Sequence, residues 1–423
     1  MNSMLEKYDK YVVIEREEKT KQIKFYRGKI EVAKEWNDRN VDLFLYRDGK
    51  LVNLSIENPG EDKMKKAMEK AEKILSHLSP SPFEIGTGKN YRNEKIFDRN
   101  ILDEEKMKDR VEASITEGMK YGKEVAGVMY ASLEKIRVEN SLGVEMADEN
   151  SSSYLSIRVF SENSSGHAVS CSRSMGGIDE MVGKEAGEMA SASKNAGIIE
   201  EGKYDVILTP MAFANIISNF GEFSSALAVD AGYSFLKGKV GKKVCSENIS
   251  IYDSGVERDG IFSRKFDDEG VATGLNEIVK NGVLQRYLHN GTTAALHGER
   301  SIGNAGIISP HPWNLIVEGK KENLEKMIEE MGEGIIIGNV WYTRFHNYAR
   351  GDFSTVVRDG AVMIENGEMK HGVKGIRVND NMERMLKNIE SISRESGQIY
   401  WWETEYPVFA PHALIRGVNI TTA

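Results

Sequence analysis

Strand-like segments dominate this sequence, and they do not alternate regularly with helices. Residues 21–32 and 41–56 contain alternating or β-branched runs, and turn signals stand at Arg27-Gly28 and Asp48-Gly49. Strands joined by such tight turns pair antiparallel, whereas a Rossmann-type sheet needs repeated strand–helix–strand units. The pattern therefore predicts an α+β fold with antiparallel or mixed sheets and flanking helices.

Helical periodicity interrupts the strands in a few places. Apolar residues recur three or four positions apart over residues 61–78 and 103–121, which is the spacing of one helical face. Further helices are predicted at 178–196, 323–331 and 382–392, and further strands at 125–138, 153–159 and 206–209. Two turn signals, Asp359-Gly360 and Asn366-Gly367, predict hairpins in the second half.

The length of 423 residues is enough for two or three domains at about 150 residues each. A boundary is predicted near residues 197–204, where a helical pattern gives way to a strand. We therefore expect an N-terminal α+β domain over residues 1–200 and a strand-rich C-terminal α+β domain over residues 201–423.

Charge and cysteine content limit the class of protein. The chain has 56 Lys and Arg against 65 Asp and Glu, so its net charge of −9 argues against binding to nucleic acid. The two cysteines, Cys171 and Cys245, cannot form a disulfide framework, and we expect both to be small buried residues. No long apolar stretch or signal-peptide pattern occurs, so the sequence predicts a cytoplasmic protein without a membrane partner.

Common catalytic motifs are missing from the sequence. It contains no phosphate-binding glycine motif, no Gly-x-Ser-x-Gly and no His-Glu-x-x-His, and none of its eight histidines lies within five residues of another. A zinc site assembled from distant histidines stays open as an alternative, but isolated histidines usually lie at the surface or form hydrogen bonds.

Three segments are dense in Gly, Asp and Asn. The first has Asp267, Asp268, Glu269 and Gly270 in succession. Its three acids either coordinate a cation or accept backbone hydrogen bonds in a turn, and the turn is favoured because one tripeptide supplies few ligands. The other two segments are residues 301–306, with Asn304, and residues 345–354, with Gly351 and Asp352.

In this order, the motifs resemble the TldD/PmbA family, also called TldD/TldE or modulators of DNA gyrase. The resemblance rests on residues 139–144, 266–271, 281–288, 303–305, 313–315, 351–354 and 364–368. It implies a two-domain α+β fold of the TldD/PmbA type. It also implies a metallopeptidase system that acts on unfolded or leader-type peptides.

The family has two branches, and the zinc-bearing TldD branch carries His-Glu-x-x-x-His on a helix and a cysteine near the C-terminus. Here the corresponding helix is predicted at residues 211–228, with Ile217 and Ser218 where His and Glu would stand and Glu222 in place of the second His. No histidine occurs between His167 and His289. The resemblance therefore implies the PmbA/TldE branch, with no catalytic residue and no metal ligand in this chain and zinc in a paralogous partner.

Two functional hypotheses follow from this resemblance. The chain is the non-zinc subunit of a metallopeptidase whose TldD-like paralogue supplies the chemistry, or it is a homodimer that binds peptide or protein without cleaving it. Direct action on gyrase or DNA is disfavoured by the net charge. The acidic segment and the segment with Gly351 either fix turns or contribute to peptide binding.

Overall fold

The computed structural model describes residues 2–92, 94–306 and 308–422. Within them the chain forms two β-sheets of six and twelve strands, with α-helices packed on their faces. This arrangement confirms the predicted α+β class. No helix in the described part of the chain is long and apolar enough to cross a membrane.

The first sheet is wholly antiparallel, in the order β3-β2-β1-β4-β5-β6. Its tight turns at Arg27-Gly28 and Asp48-Gly49 have positive φ at both residues, which matches the twist of the flanking strands and confirms the predicted hairpins. Its strands are β1 Lys10–Tyr26, β2 Lys29–Arg47, β3 Lys50–Glu57, β4 Glu124–Asn140, β5 Glu145–Ser161 and β6 Ser164–Ser172.

Helices of the N-terminal half pack on one face of this sheet. The predicted stripe of residues 61–78 forms a helix whose Met68, Ala71 and Leu75 are buried against the sheet. The helix predicted at 103–121 begins after Asp103, whose carboxylate accepts hydrogen bonds from two first-turn N–H groups. The helix predicted at 178–196 is shorter. The four helices are α1 Asn2–Leu5, α2 Glu61–His77, α3 Glu104–Gly118 and α4 Val182–Ala192.

The second sheet is mixed and partly closed. Its strands are β7 Gly202–Leu208, β8 Ile249–Ser254, β9 Leu275–Lys280, β10 Val283–Leu284, β11 Leu315–Gly319, β12 Lys321–Glu322, β13 Gly334–Asn347, β14 Asp352–Glu365, β15 Glu368–Gly372, β16 Ile376–Asn381, β17 Ile389–Ile399 and β18 Val408–Thr422. β7 pairs parallel with β13 and antiparallel with β18. These pairings close β7, β13, β14, β16 and β18 into a ring.

Five helices accompany the second sheet in the described part of the chain: α5 Pro210–Phe223, α6 Ala226–Asp230, α7 Gly291–His297, α8 Leu324–Met331 and α9 Met382–Lys387. Two helix predictions in this half were wrong at their ends. The helix predicted at 211–228 breaks because Ser224 and Ala226 exchange backbone hydrogen bonds with Leu288. The helix predicted at 382–392 ends at Lys387, and Ile389 begins strand β17.

The hairpin predicted at Asp359-Gly360 was also wrong. β14 runs through both residues, and their positive φ values of 54° and 102° belong to a bulge. The Asp359 carboxylate accepts hydrogen bonds from Arg158 and Ser165 of the first sheet. Contact with distant residues therefore sets this conformation, whereas Asn366-Gly367 forms the predicted turn between β14 and β15.

The chain changes sheets between β6 and β7. The division into domains at residues 200 and 201 stays a prediction, because the two sheets pack on each other. Arg173, which follows β6, is fully buried and donates hydrogen bonds to the carbonyl oxygens of Ile96, Gly260 and Ser263. A buried guanidinium satisfied in this way ties the end of the first sheet to the loops of the second.

Candidate functional site

The first candidate region is the acidic loop, Asp267 to Gly270. The Asp267 carboxylate is buried and accepts hydrogen bonds from the backbone N–H groups of Glu269, Val271 and Ala305 at 2.9–3.0 Å. Burial, and then the charge of Glu269, raise the pKa of Asp267 well above its ordinary value. Gly270 has φ +84°, a left-handed conformation that suits glycine.

The other two acids of the loop point to different partners. Asp268 accepts a hydrogen bond from Arg16 at 2.6 Å and another from Arg264 at 3.4 Å. One Glu269 oxygen accepts from the N–H groups of Gly86 and Gly291, at 2.7 and 2.9 Å, and burial raises the pKa of Glu269 to about 7. The three carboxylates therefore belong to a turn in which each has its own hydrogen-bond partners. Through Arg16 of β1, Asp268 joins this turn to the first sheet.

Asn304 lies beside this loop, since its neighbour Ala305 binds Asp267. The buried Asn304 amide donates to Asp253 at 2.7 Å and to the carbonyl oxygen of His311 at 2.8 Å, and its oxygen accepts from Asn276. Burial raises the pKa of Asp253 to about 6. Sequence reasoning missed Asp253, although a lone acid in the apolar strand β8 was the available signal.

Gly351 and Asp352 lie elsewhere, at the turn between β13 and β14. A Cβ on Gly351, which has φ +78°, would lie 3.0 Å from the ring of Phe235. The Asp352 carboxylate accepts a hydrogen bond from the Asn381 amide at the start of α9. These contacts hold the turn in place, and a peptide-binding role for either residue stays a prediction.

The second candidate region is the α5 pocket, a polar cavity of about 250 Å³ beside helix α5. Pro210 occupies the first turn of this helix, where its missing N–H needs no partner. Ile217 is buried in the core, and the Ser218 hydroxyl accepts a hydrogen bond from the N–H of Tyr406 at 3.0 Å. The pocket is lined by Asn215, Ser218, Asn219, Glu222, Thr343, Arg344, Trp402, Glu403 and Glu405.

Hydrogen-bond acceptors dominate the α5 pocket. Desolvation, and then the charge of Glu405, raise the pKa of Glu222. One oxygen of Glu403 accepts a hydrogen bond from the N–H of Tyr342. Trp402 is 71% exposed. Sequence reasoning missed Trp402, Glu403 and Glu405 because they precede β18, far along the chain from α5, and no spacing pattern links them to Glu222.

The side chains at the predicted positions do not fit a zinc ion. Ile217 carries no ligand atom, and the Ser218 oxygen already bonds the backbone of Tyr406. That leaves the Glu222 carboxylate, whereas protein zinc sites use three or four nitrogen, sulfur or oxygen ligands. The residues of this helix therefore do not support a catalytic step through a metal.

Histidines and cysteines elsewhere in the described residues also lack the arrangement that a zinc site needs. The rings of His289 and His297 lie 5.1 Å apart, and His297 pairs with Asp230 at 2.9 Å. Burial raises the pKa of the Cys171 thiol to about 12, and it raises that of Cys245 as well. Within the described residues, no group of three or more His, Cys, Asp or Glu side chains is placed to hold a metal ion.

Comparison with curated proteins links the chain to metalloproteases. It is 28% identical to protein MJ0231 of Methanocaldococcus jannaschii over 56% of this chain and 58% of that protein. The chain is 29% identical to the metalloprotease PmbA of Escherichia coli O157:H7 over 46% of this chain and 42% of that protein. The aligned regions thus span about half the length of these two relatives. The PmbA homologue of Haemophilus influenzae is 26% identical over 84% of this chain and 81% of that protein.

Solved structures and family models extend this likeness to the whole chain. TldE from Thermococcus kodakarensis has a TM-score of 0.87 at 21% identity, over 99% of this chain and 98% of that one. The Thermotoga maritima protein TM0727, described as a modulator of a DNA gyrase, scores 0.85 at 25% identity, over 97% and 96%. The PmbA/TldA metallopeptidase central-domain model matches residues 94–194, and the C-terminal-domain model matches residues 201–422, just over half of the chain. The chain therefore belongs to the PmbA/TldA metallopeptidase family.

Proposed function

We propose that this chain is the non-zinc, PmbA/TldE-like subunit of a TldD/TldE-type metallopeptidase. A zinc-bearing TldD-like paralogue supplies the chemistry, and unfolded or leader-type peptides are the substrates. The observation that carries the proposal is the pair of residues on helix α5 at the positions assigned to the zinc motif. The positions assigned to the zinc motif hold Ile217, which packs in the core, and Ser218, which binds a backbone N–H.

The surface next to α5 supports a binding role for this subunit. Glu222 and Glu405 line the α5 pocket, and the exposed indole of Trp402 stands at its rim. Such a surface offers carboxylate oxygens and an aromatic face to a partner or to a peptide. In this proposal the chain binds and orients peptide or completes the dimer, and a group on the paralogue does the cleavage.

The proposal also places the complex in the cytoplasm, with neither membrane nor nucleic acid as a partner. The net charge of −9 supports the second point, because binding to the nucleic-acid backbone needs an excess of Lys and Arg. Two buried thiols, Cys171 and Cys245, fit a reducing compartment.

Co-expression with a His-Glu-x-x-x-His paralogue from the same genome tests the proposal. We expect the two chains to copurify in equal amounts, with zinc bound to the paralogue, and casein to be cleaved by the complex and not by this chain alone. As a control, the paralogue with its first motif histidine changed to alanine should still copurify but not cleave casein. Zinc-dependent cleavage by this isolated chain would refute the proposal. A homodimer that ignores the paralogue and binds peptide would favour the non-catalytic alternative.

A further inference from the structure

Strand β3 leaves one edge of the first sheet open beyond the turn at Gly49, whose carbonyl oxygen accepts a hydrogen bond from the N–H of Ser81. It is the outermost strand, and it pairs with β2 in unbroken register from Glu57 to Lys50. Within the described chain, the backbone of residues 51–56 makes no hydrogen bond except to β2. Natural edge strands are usually protected by charged side chains, prolines or bulges, yet residues 51–56 are Leu-Val-Asn-Leu-Ser-Ile.

The other strand edges differ from β3. At the opposite edge of the first sheet, β6 is covered by the second sheet, where His167 bonds Asn339 at 3.0 Å and Gln398 donates to the Cys171 carbonyl oxygen. In the second sheet, the end strands β10 and β12 have two residues each. The end strand β15 has five residues, and its Gly372 exchanges backbone hydrogen bonds with Lys194 and Gly197. Of the edges in the described residues, β3 is therefore the long uncovered one.

Alternate side chains of β3 lie on two different faces. Val52 and Ile56 are buried under helix α2. Leu51 and Asn53 line a cavity of about 400 Å³ on the opposite face. Because neighbouring strands share the same alternation, a strand added beside β3 places every second side chain on the cavity face.

This cavity lies between the first sheet and helices α6 and α7, and its walls are largely apolar. Val12 and Phe44 belong to its sheet wall, while Leu296 and Ile308, which are 62% and 65% exposed, belong to the opposite wall. Apolar side chains exposed next to a cavity mark a binding surface.

Charge narrows the choice of occupant. The cavity lining includes Asp230, Asp268 and Glu269, and none of its described residues is Lys, Arg or His. Asp268 forms ion pairs with Arg16 and Arg264, so Glu269 and Asp230, whose partner is His297, supply the negative charge that faces an occupant. A negatively charged occupant is repelled by these carboxylates, whereas a basic one is attracted.

We propose that β3 and this cavity bind an extended peptide as an additional antiparallel or parallel strand. Its apolar side chains at alternate positions enter the cavity, and Lys or Arg is favoured over Asp or Glu beside them. Backbone pairing supplies affinity, and the alternate pockets supply selectivity. This inference rests on the peptide-binding role proposed above and names the place where this subunit performs it.

The first test uses a fluorescein-labelled peptide of alternating Leu and Thr with Lys at both ends, bound to the isolated chain and followed by anisotropy. Two N-methylated forms carry methyl groups either on the Leu amides or on the Thr amides, so that each form blocks one edge of the peptide strand. We expect one form to bind at least about tenfold more weakly and the other to bind as the parent does, since one edge faces β3. Equal binding by both forms, or no binding by the parent peptide, would overturn the proposal.

Matched variants locate the site. Leu296→Asp places a negative charge at the cavity wall and should weaken binding of the Leu-Thr peptide by about fivefold or more. Leu275→Asp alters a leucine that is equally exposed, at 61%, but lies on β9 and does not line the cavity. It should leave the affinity unchanged. Equal effects of the two substitutions would contradict binding at this cavity.

Charge selectivity gives a second readout. The same peptide with Glu in place of both Lys residues should bind more weakly at low salt, and the difference should shrink as salt is added. Equal affinity of the Lys and Glu peptides at low salt would remove the argument from charge and overturn that part of the proposal.

A second copy of the chain is the competing occupant of the β3 edge. The double substitution Asn53→Lys and Ser55→Lys adds charge at two exposed edge positions. We expect it to abolish peptide binding without changing the molecular mass measured by light scattering. A mass that halves in this variant would assign the edge to a homodimer and overturn the proposal. Because all these measurements use the isolated chain, their outcome is separate from whether a zinc-bearing paralogue copurifies.

Discussion

The acidic loop and the α5 pocket both bring several carboxylates together, but they differ in how those groups are satisfied. In the acidic loop, Asp267 and Glu269 accept backbone N–H groups and Asp268 pairs with arginines. In the α5 pocket, the carboxylates of Glu222 and Glu405 have no hydrogen bond or ion pair within the described residues. Acids that satisfy buried donors hold the fold together, whereas acids left open to solvent are free to meet a partner.

The substitution with the largest expected effect on stability tests the structural role of the acidic loop. Asp267→Ala leaves three buried N–H groups without an acceptor, and each such group costs roughly 1–3 kcal/mol. We expect the free energy of unfolding to fall by about 4 kcal/mol, measured by urea denaturation. Asp352→Ala, which loses one side-chain hydrogen bond and an exposed ion pair with Arg350 at a partly exposed turn, should cost about 1 kcal/mol. Similar losses in the two variants would contradict a special structural role for the acidic loop.

The second prediction concerns pH. Burial raises the pKa of Glu269 to about 7, above its ordinary value in the unfolded chain. The protonated form is therefore favoured in the folded state, and stability is lost as the pH rises from the ordinary pKa through 7. Glu269→Gln keeps an acceptor oxygen for Gly86 and Gly291 without the charge. The variant should match the parent at acid pH and exceed its stability at pH 8 by about 2 kcal/mol.

Urea denaturation at several pH values measures this difference. Comparing the variant with the parent isolates Glu269 from Asp267, whose pKa is also raised. A Glu269→Gln variant that is less stable than the parent at pH 8 would mean that the ionised carboxylate, with its two backbone N–H donors, stabilises the fold more than its burial costs.

The third prediction tests how tightly the acidic loop is packed. Gly270 and Gly143 both have positive φ, near +80°, but a Cβ on Gly270 would lie 2.7 Å from Val144, whereas a Cβ on Gly143 meets no atom within 4 Å. Both alanine substitutions carry the backbone strain of about 1 kcal/mol. Gly270→Ala also forces Val144 to move, so we expect a loss of about 2 kcal/mol. Equal losses, measured from thermal unfolding, would indicate that the loop yields easily.

The sequence was sufficient where local chemistry decides the structure. The Asp48-Gly49 and Asn366-Gly367 turns formed as predicted, because φ > 0 at these residues needs no distant partner. Asp359-Gly360 has the same turn chemistry but became a bulge, since Arg158 and Ser165 bind the Asp359 carboxylate. A local pattern does not contain that information.

The candidate sites show the same limit. Asp267 to Gly270 was recognisable as a turn of acidic residues. Its partners are Arg16 in β1 and Gly86 in the segment between α2 and α3, and neither has a signature of its own. In the α5 pocket, the sequence analysis named Glu222 because of its position on the predicted helix. Glu405 joins it only because the segment before β18 folds back beside α5, which depends on the closed ring of strands.

The smallest expected effect belongs to the α5 pocket. The pKa of Glu222 is raised first by desolvation and then by the charge of Glu405, so ionisation of Glu222 weakens the fold as the pH rises through its pKa. Glu222→Gln should therefore raise stability at pH 8 by about 0.5 kcal/mol or less and leave it unchanged in acid, as judged by urea denaturation.

As a control, Glu247→Gln breaks an exposed pair with Lys243 and should change stability slightly in the opposite direction. A clear loss of stability in Glu222→Gln would show that this carboxylate supports the fold as the acidic loop does, and the contrast between the two regions would disappear. A slight gain means that the folded chain keeps a negative charge in the pocket at a small cost in stability, which fits a group retained for binding.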